Sequence, residues 1–277
     1  MPTESPQTQA PEPPNPSPSE KLRFNKPRRG VGRLTIRNPK KRGMLDQEIL
    51  DGLAATLSCF DVRCLVITGE GSHFSAGYDI ATLHEPSPAG AADGLTAHPS
   101  NAALQAIEHY PYPVVAALNG RTFGGGLELA MACDLRVAAS DVTLAMTPGR
   151  LGVVYSHTGL RRFLDVCGLA NTNEMFFLAA PVSTHRALEM GLVNRVAEPG
   201  ELESHALAMA AQIAATSPVA LKGNKRAIRT LRAELARLPG EVEKDLIDLS
   251  ASGVHSADFA EAQKAFAEKR APTWKGR

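Results

Sequence analysis

Apolar residues recur along this chain at two spacings. In "LDQEILDGLAATLSCF" (residues 45–60) they fall at helical intervals, with Asp46 placed to cap the start. "RCLVITGEG" (63–71) instead runs apolar without interruption and stops at glycine, as a buried strand does. Ahead of both, "GVGRLTIRNP" (30–39) alternates like a short strand and ends at the Asn38-Pro39 turn, so folding is expected to begin near Lys21. The theme repeats: "YPVVAALNG" (112–120) predicts a strand, "GGLELAMACD" (125–134) a short helix, and "LRVAAS" (135–140) and "VTLAM" (142–146) two more strands. Alternation of this kind predicts an α/β fold with parallel strands. Beyond it, "NTNEMFFLAA", "STHRALEMG", "ELESHALAMAAQIAA" and "PVALKGNKRAIRTLRAEL" read as successive helices, so the chain turns helical towards its end. Residues 85–101 carry Pro, Gly, Ala and Ser without periodicity and read as a loop, either over a site or as a passive surface insertion.

Composition narrows the function classes. A chain of 277 residues can bury a sizeable core, and 30 Lys and Arg against 29 Asp and Glu leave a formal charge of +1. That balance gives no broad footprint for nucleic acid or an anionic membrane. The cluster "KGNKRAIRTLR" (222–232) is a local basic face, of the kind that is usually only solvated. Residues 1–20 are rich in Pro, Ser and acids and read as a disordered tail; they lack the basic and apolar regions of a signal peptide. No run of about 18 apolar residues is present, so a membrane-spanning segment is not expected. Cys59, Cys64, Cys133 and Cys167 lie in or beside apolar runs and form no CxxC pair, which predicts buried thiols, no metal site and a cytoplasmic setting.

Two strand ends combine glycine with small residues: "HFSAGYDI" (73–80) and "NGRTFGGGLE" (119–128). Glycine lets a backbone N–H approach a ligand, and a helix start carries unpaired N–H donors, so the two turns together are a candidate oxyanion hole. The alternative is that these glycines serve tight turns and close helix packing only. Neither segment has the Gly-Lys-Ser/Thr of a phosphate loop or the spacing of a dinucleotide fingerprint. Glu128, between Leu127 and Leu129, is a candidate general acid or base; otherwise it faces solvent or pairs with Arg121 or Arg136.

With those residues in view, the chain resembles the crotonase, or enoyl-CoA hydratase/isomerase, superfamily over roughly residues 33–276. "FSAGYDI" is similar to its first oxyanion motif, "NGRTFGGGLELAMACDLRVAAS" to its second, and "ALEMGLVNRV" and "FAEKRAPTWKG" to its later signatures. The resemblance implies a spiral of ββα units over residues 21–215 and a helical trimerisation region over 216–277. It also implies a homotrimer or homohexamer, and an acyl-CoA thioester as substrate, with coenzyme A carried by the substrate and no other cofactor. Carried over by position, the oxyanion donors are the N–H groups of Tyr78 and Gly125. Ala76, Gly77, Tyr78, Asp79 and Ile80 line the CoA path, and Lys269 matches a basic residue near its phosphate. Where the family generally reads "KRNAL", this chain reads "KRGML" (41–45).

Hydratases of the superfamily activate water with two glutamates. Glu128 matches the first, but Pro148 stands where the second is expected, and proline transfers no proton. "MTPGRLGVVYSHTG" (146–159) instead resembles the "MTP…LGV…Y" pattern of the superfamily's methylmalonyl-CoA decarboxylases, with Tyr155 matching their tyrosine and Thr147 a substrate-contacting threonine. The expected activity is therefore decarboxylation of a methylmalonyl-CoA-like thioester through an enolate. Candidate sources of the proton that quenches the enolate are water and Tyr155. His157 is a weaker candidate, since a lone histidine in such a loop is more often structural. Two alternatives stay open: a hydratase or isomerase using Glu128 alone, and a non-catalytic scaffold that binds a CoA ester, a protein or RNA.

Overall fold

The computed structural model describes residues 19–57, 61–78 and 99–276. The tail assigned to residues 1–20 therefore lies almost wholly outside the described residues, as do Asp79, Ile80, Cys59 and residues 85–98 of the expected loop. The end of that loop is corrected, because the helix α2, Pro99–His109, already includes Asn101.

The chain opens with strand β1, Leu22–Arg28, paired antiparallel with β2, Val31–Ile36. The first of these was not expected: "LRFNKPR" buries only Leu22 and Phe24, too few apolar positions to mark a strand by pattern. Helix α1, Gln47–Leu57, follows, and Asp46 caps it as expected, its carboxylate accepting from the Ile49 N–H at 3.2 Å.

Three consecutive units then share one plan. A long strand is followed at once by a three-residue strand and then by a helix: β3, Cys64–Gly69, with β4, His73–Ser75, and α2; β5, Val114–Leu118, with β6, Arg121–Phe123, and α3, Gly125–Ala132; β7, Leu135–Ala139, with β8, Thr143–Ala145, and α4, His157–Asn173. The long strands join a six-stranded sheet in the order β1-β2-β3-β5-β7-β10, where β10 is Arg195–Ala197. The short strands form a second sheet in the order β4-β6-β8-β9, where β9 is Val182–Ser183. This is the expected spiral of ββα units in an α/β fold. The parallel expectation holds for β2, β3, β5, β7 and β10 and for β4, β6 and β8, while β1 and β9 are antiparallel at the edges.

The core lies between the six-stranded sheet and its helices. All five residues of β5 are buried, as are Cys64, Leu65, Val66 and Ile67 of β3, which explains their uninterrupted apolar runs. Helix α6, Leu202–Ala214, packs across that sheet after the short α5, Thr184–Glu189. Helices α7, Pro218–Leu235, α8, Gly240–Val254, and α9, Ala257–Ala267, complete the described chain. The segment "NTNEMFFLAA" is not a separate helix. It belongs to α4 and the π-turn after it, and the break falls earlier, at Gly168, whose φ of 73° interrupts the helix. No described helix is long and apolar enough to cross a membrane.

Candidate active site

Strands β4, β6 and β8 run parallel and side by side, so their C-terminal ends open on one place. The residues that follow them are Ala76, Gly77 and Tyr78 after β4, Gly124 and Gly125 after β6, and Thr147 and Pro148 after β8. All seven line a single cavity of about 100 Å³, joined by Glu128, Leu104, Tyr155, Ser156 and Arg162. Residues spread over some 90 positions of sequence thus meet because successive ββα units deliver the same turn to the same edge.

Both glycine turns need glycine. Gly77 has φ of 99° and Gly124 φ of 53°, in the region side chains rarely adopt. A Cβ on Gly77 would stand 3.0 Å from the Gly125 nitrogen, so the two turns touch. Gly125 is the first residue of α3, and its N–H belongs to the first turn, which has no intrahelical acceptor. A Cβ on Gly125 would sit 2.4 Å from the Tyr78 ring, so that ring lies directly on the bare Gly125 backbone.

Glu128, in the first turn of α3, is only 4 % exposed. Its carboxylate is held by three donors. The Tyr78 hydroxyl donates to Oε2 at 2.9 Å, the Tyr155 hydroxyl to the same oxygen at 2.5 Å, and Arg162 Nη1 to Oε1 at 3.0 Å. Neither arginine expected as a partner makes the pair. Arg136 is buried and spends its guanidinium on the carbonyls of Leu192, Ala130 and Cys133, and Arg121 is exposed. Arg162 comes from α4 and extends the network to α2, where its Nε donates to Glu108 at 2.9 Å. Burial works against its charge, but Glu128 and Glu108 together outweigh burial and raise its pKa above the usual arginine value. For the Tyr155 phenol, burial and then the Glu128 charge act in the same direction, holding its pKa well above the ordinary tyrosine range. Its ring packs on Phe176, centroids 5.4 Å apart, and Phe176 packs edge-on against the buried Phe163.

Arg162 and Glu108 were not expected from sequence. A signal existed, because Gly159, Arg162, Phe163 and Cys167 form the buried face of α4, which places an arginine in an apolar stripe. Two other candidates fall elsewhere. Lys269 is exposed just beyond α9 and does not line the cavity. His157 faces α8 with Nε2 3.7 Å from Glu243, so it is not part of the cavity wall. Among the described residues, Glu128 is the only carboxylate lining the cavity, and Pro148 is buried in its wall. Among the described residues, no cluster of three His, Cys, Asp or Glu is placed to hold a metal ion.

The family model of enoyl-CoA hydratase/isomerase matches residues 26–277. The chain belongs to that family. Among its relatives, methylmalonyl-CoA decarboxylase from Escherichia coli K12 is 33% identical over 243 residues, covering 86% of this chain and 91% of the relative. Carnitinyl-CoA dehydratase from Salmonella typhi is 36% identical over 224 residues, covering 78% and 83%. The solved structure of methylmalonyl-CoA decarboxylase in complex with 2-nitronate-propionyl-CoA superposes with a TM-score of 0.84 at 29% identity, covering 93% of this chain and 99% of that one. Membership of the crotonase superfamily makes the chain an enzyme of acyl-CoA chemistry, and the two named relatives differ in the reaction they carry out.

Proposed function

We propose that this enzyme decarboxylates a methylmalonyl-CoA-like thioester, and the observation that carries the reading is a cavity lined by the buried Pro148 and, among the described residues, by one carboxylate, Glu128. Hydration by a glutamate pair needs one carboxylate to activate water and another to position it or deliver a proton. Here the cavity lining offers Pro148 and Thr147, and Glu128 itself is tied down by two phenols and a guanidinium.

The chemistry follows from those groups. The thioester oxygen sits between the N–H groups of Tyr78 and Gly125, each worth roughly 3–4 kcal/mol when charge develops there in a dry site. The bond from the α-carbon to the carboxylate breaks, its electron pair moves into the thioester as an enolate, and carbon dioxide departs against the apolar Pro148. The thioester is itself the electron sink, so the electron flow draws on no group beyond the substrate and this cradle. Because two phenols share Oε2 of Glu128, Tyr155 can turn its hydroxyl to the substrate carboxylate while Tyr78 keeps Glu128 in place. A proton from water or Tyr155 then converts the enolate to the product thioester. Asp79, Ile80 and Lys269 retain the CoA-binding roles assigned to them by resemblance.

The second reading is a hydratase or dehydratase that uses Glu128 alone, favoured by the opening of Glu128 on the cavity and by the 36% identity to a carnitinyl-CoA dehydratase. Purified protein offered a panel of malonyl-type CoA thioesters beside crotonyl-CoA separates the two. Carbon dioxide release from methylmalonyl-CoA, lost in Tyr155→Phe, supports decarboxylation. Turnover of crotonyl-CoA that Glu128→Gln abolishes and Tyr155→Phe spares, with no carbon dioxide from any thioester, overturns it.

A further inference from the structure

Beyond keeping Glu128 in place, the side chain of Tyr78 has no part in the chemistry assigned above, yet it is tied down on several sides. At one end, Leu45 donates its N–H to the Gly77 carbonyl at 2.9 Å, in a bridge that pairs Leu45 with Tyr78. At the other end the phenol donates to Glu128, which Arg162 holds in turn. Between the two ends the ring rests on Gly125, where even one added carbon would stand 2.4 Å from it. A ring fixed at both ends and along its face cannot swing aside without breaking a hydrogen bond to a buried carboxylate.

Its place in the cavity gives that rigidity a use. In the orientation proposed above, a thioester oxygen between the N–H groups of Tyr78 and Gly125 brings the α-carbon towards the ring that lies on Gly125. With the leaving carboxylate directed to Pro148 and Tyr155, the remaining substituent on the α-carbon faces Tyr78. We infer that the Tyr78 ring is a fixed wall that sets the largest α-substituent the enzyme accepts. This rests on the proposed orientation of a malonyl-type thioester. A wall of this kind discriminates by roughly 10–200-fold for each methylene that does not fit.

The test measures kcat/KM by carbon dioxide release for malonyl-, methylmalonyl-, ethylmalonyl- and propylmalonyl-CoA. The proteins are wild type, Tyr78→Phe, Tyr78→Leu and Tyr78→Ala, all of which keep the backbone N–H. Wild type is expected to lose at least 10-fold from methyl to ethyl. Tyr78→Ala should raise the ethyl-to-methyl ratio by at least 10-fold, with Tyr78→Leu between. Tyr78→Phe keeps the wall and therefore the wild-type ranking, although kcat falls with loss of the contact to Glu128. A general loosening of the fold would lower all four substrates together and leave the ratio unmoved, which would overturn the inference. If wild type releases no carbon dioxide from any of them, the decarboxylase reading fails separately. The same ratio is then read by hydration of crotonyl-CoA against its 2-methyl and 2-ethyl homologues, where an unchanged ranking in Tyr78→Ala again refutes the wall.

Discussion

Replacing Arg162 by methionine removes one guanidinium from between two carboxylates on different helices. The side chains concerned are 7% exposed for Arg162, 6% for Glu128 and 21% for Glu108, so the near-zero value of a surface ion pair does not apply. Removing one partner of a buried pair leaves an uncompensated charge and destabilises by about 3–5 kcal/mol. Methionine nearly fills the space of the arginine stem, so little of that figure is a cavity effect. For a chain of this size each kcal/mol moves Tm by about 2–4 °C, which places the expected fall near 10 °C. Differential scanning calorimetry at neutral pH measures it, with urea midpoints as a second readout. Arg162→Lys keeps the charge but lacks the fork that reaches both Glu108 and Glu128, and should fall between wild type and Arg162→Met. The carbon dioxide assay on the same variants should show kcat reduced at least 10-fold in Arg162→Met, since Glu128 is then free to drag Tyr155 from its place. A fall in Tm below about 2 °C with kcat unchanged would refute the view that Arg162 anchors the site.

Gly159→Ala is expected to lower kcat about 100-fold with a smaller change in KM, because its Cβ would stand 2.4 Å from the Tyr155 ring and 2.8 Å from Glu128 Oε1; steady-state kinetics reads both. The Tyr155 pKa is raised in the folded protein above an unfolded value near 10, so its contribution to stability is complete below pH 10 and is lost as pH rises towards the folded value. Urea midpoints should therefore decline above pH 10 more steeply in wild type than in Tyr155→Phe, and parallel curves would contradict the assignment. Helix α7 exposes Ile228, Leu231 and Leu235 on one face at 60–82 %, a row suited to the trimer contact proposed for residues 216–277. Ile228→Glu with Leu231→Glu should shift the mass in light scattering from trimer or hexamer to monomer, and a monomeric wild type would sink that proposal.

The α/β alternation was legible because its long strands are either buried on both faces, as β5 is, or end in glycine, as β3 does, while the ββα spiral itself came from the family resemblance. The three-residue strands β4 and β6 were not, since three positions are too few to show a period. The same difference runs through the site. Gly77, Gly125, Thr147, Pro148 and Tyr155 were found because motifs and strand ends announce them, and all five line the cavity. Arg162 was hidden because "GLRRF" reads as exposed helix unless the register of α4 is known. One residue's rotation decides that Arg161 reaches Asp165 at the surface and Arg162 reaches Glu128 inside. Glu108 was hidden for a different reason: its partner is 54 positions away on another helix, and nothing local marks it.

The claim that an enolate forms between Tyr78 and Gly125, with Pro148 in place of a second acid, is tested most directly by a crystal structure bound to a malonyl-type CoA thioester analogue that cannot lose its carboxylate. The account predicts the thioester oxygen within hydrogen-bond distance of both backbone N–H groups and the carboxylate against Pro148 and the Tyr155 hydroxyl. A thioester held away from those N–H groups, or a water fixed by Glu128 against the β-carbon, would contradict it.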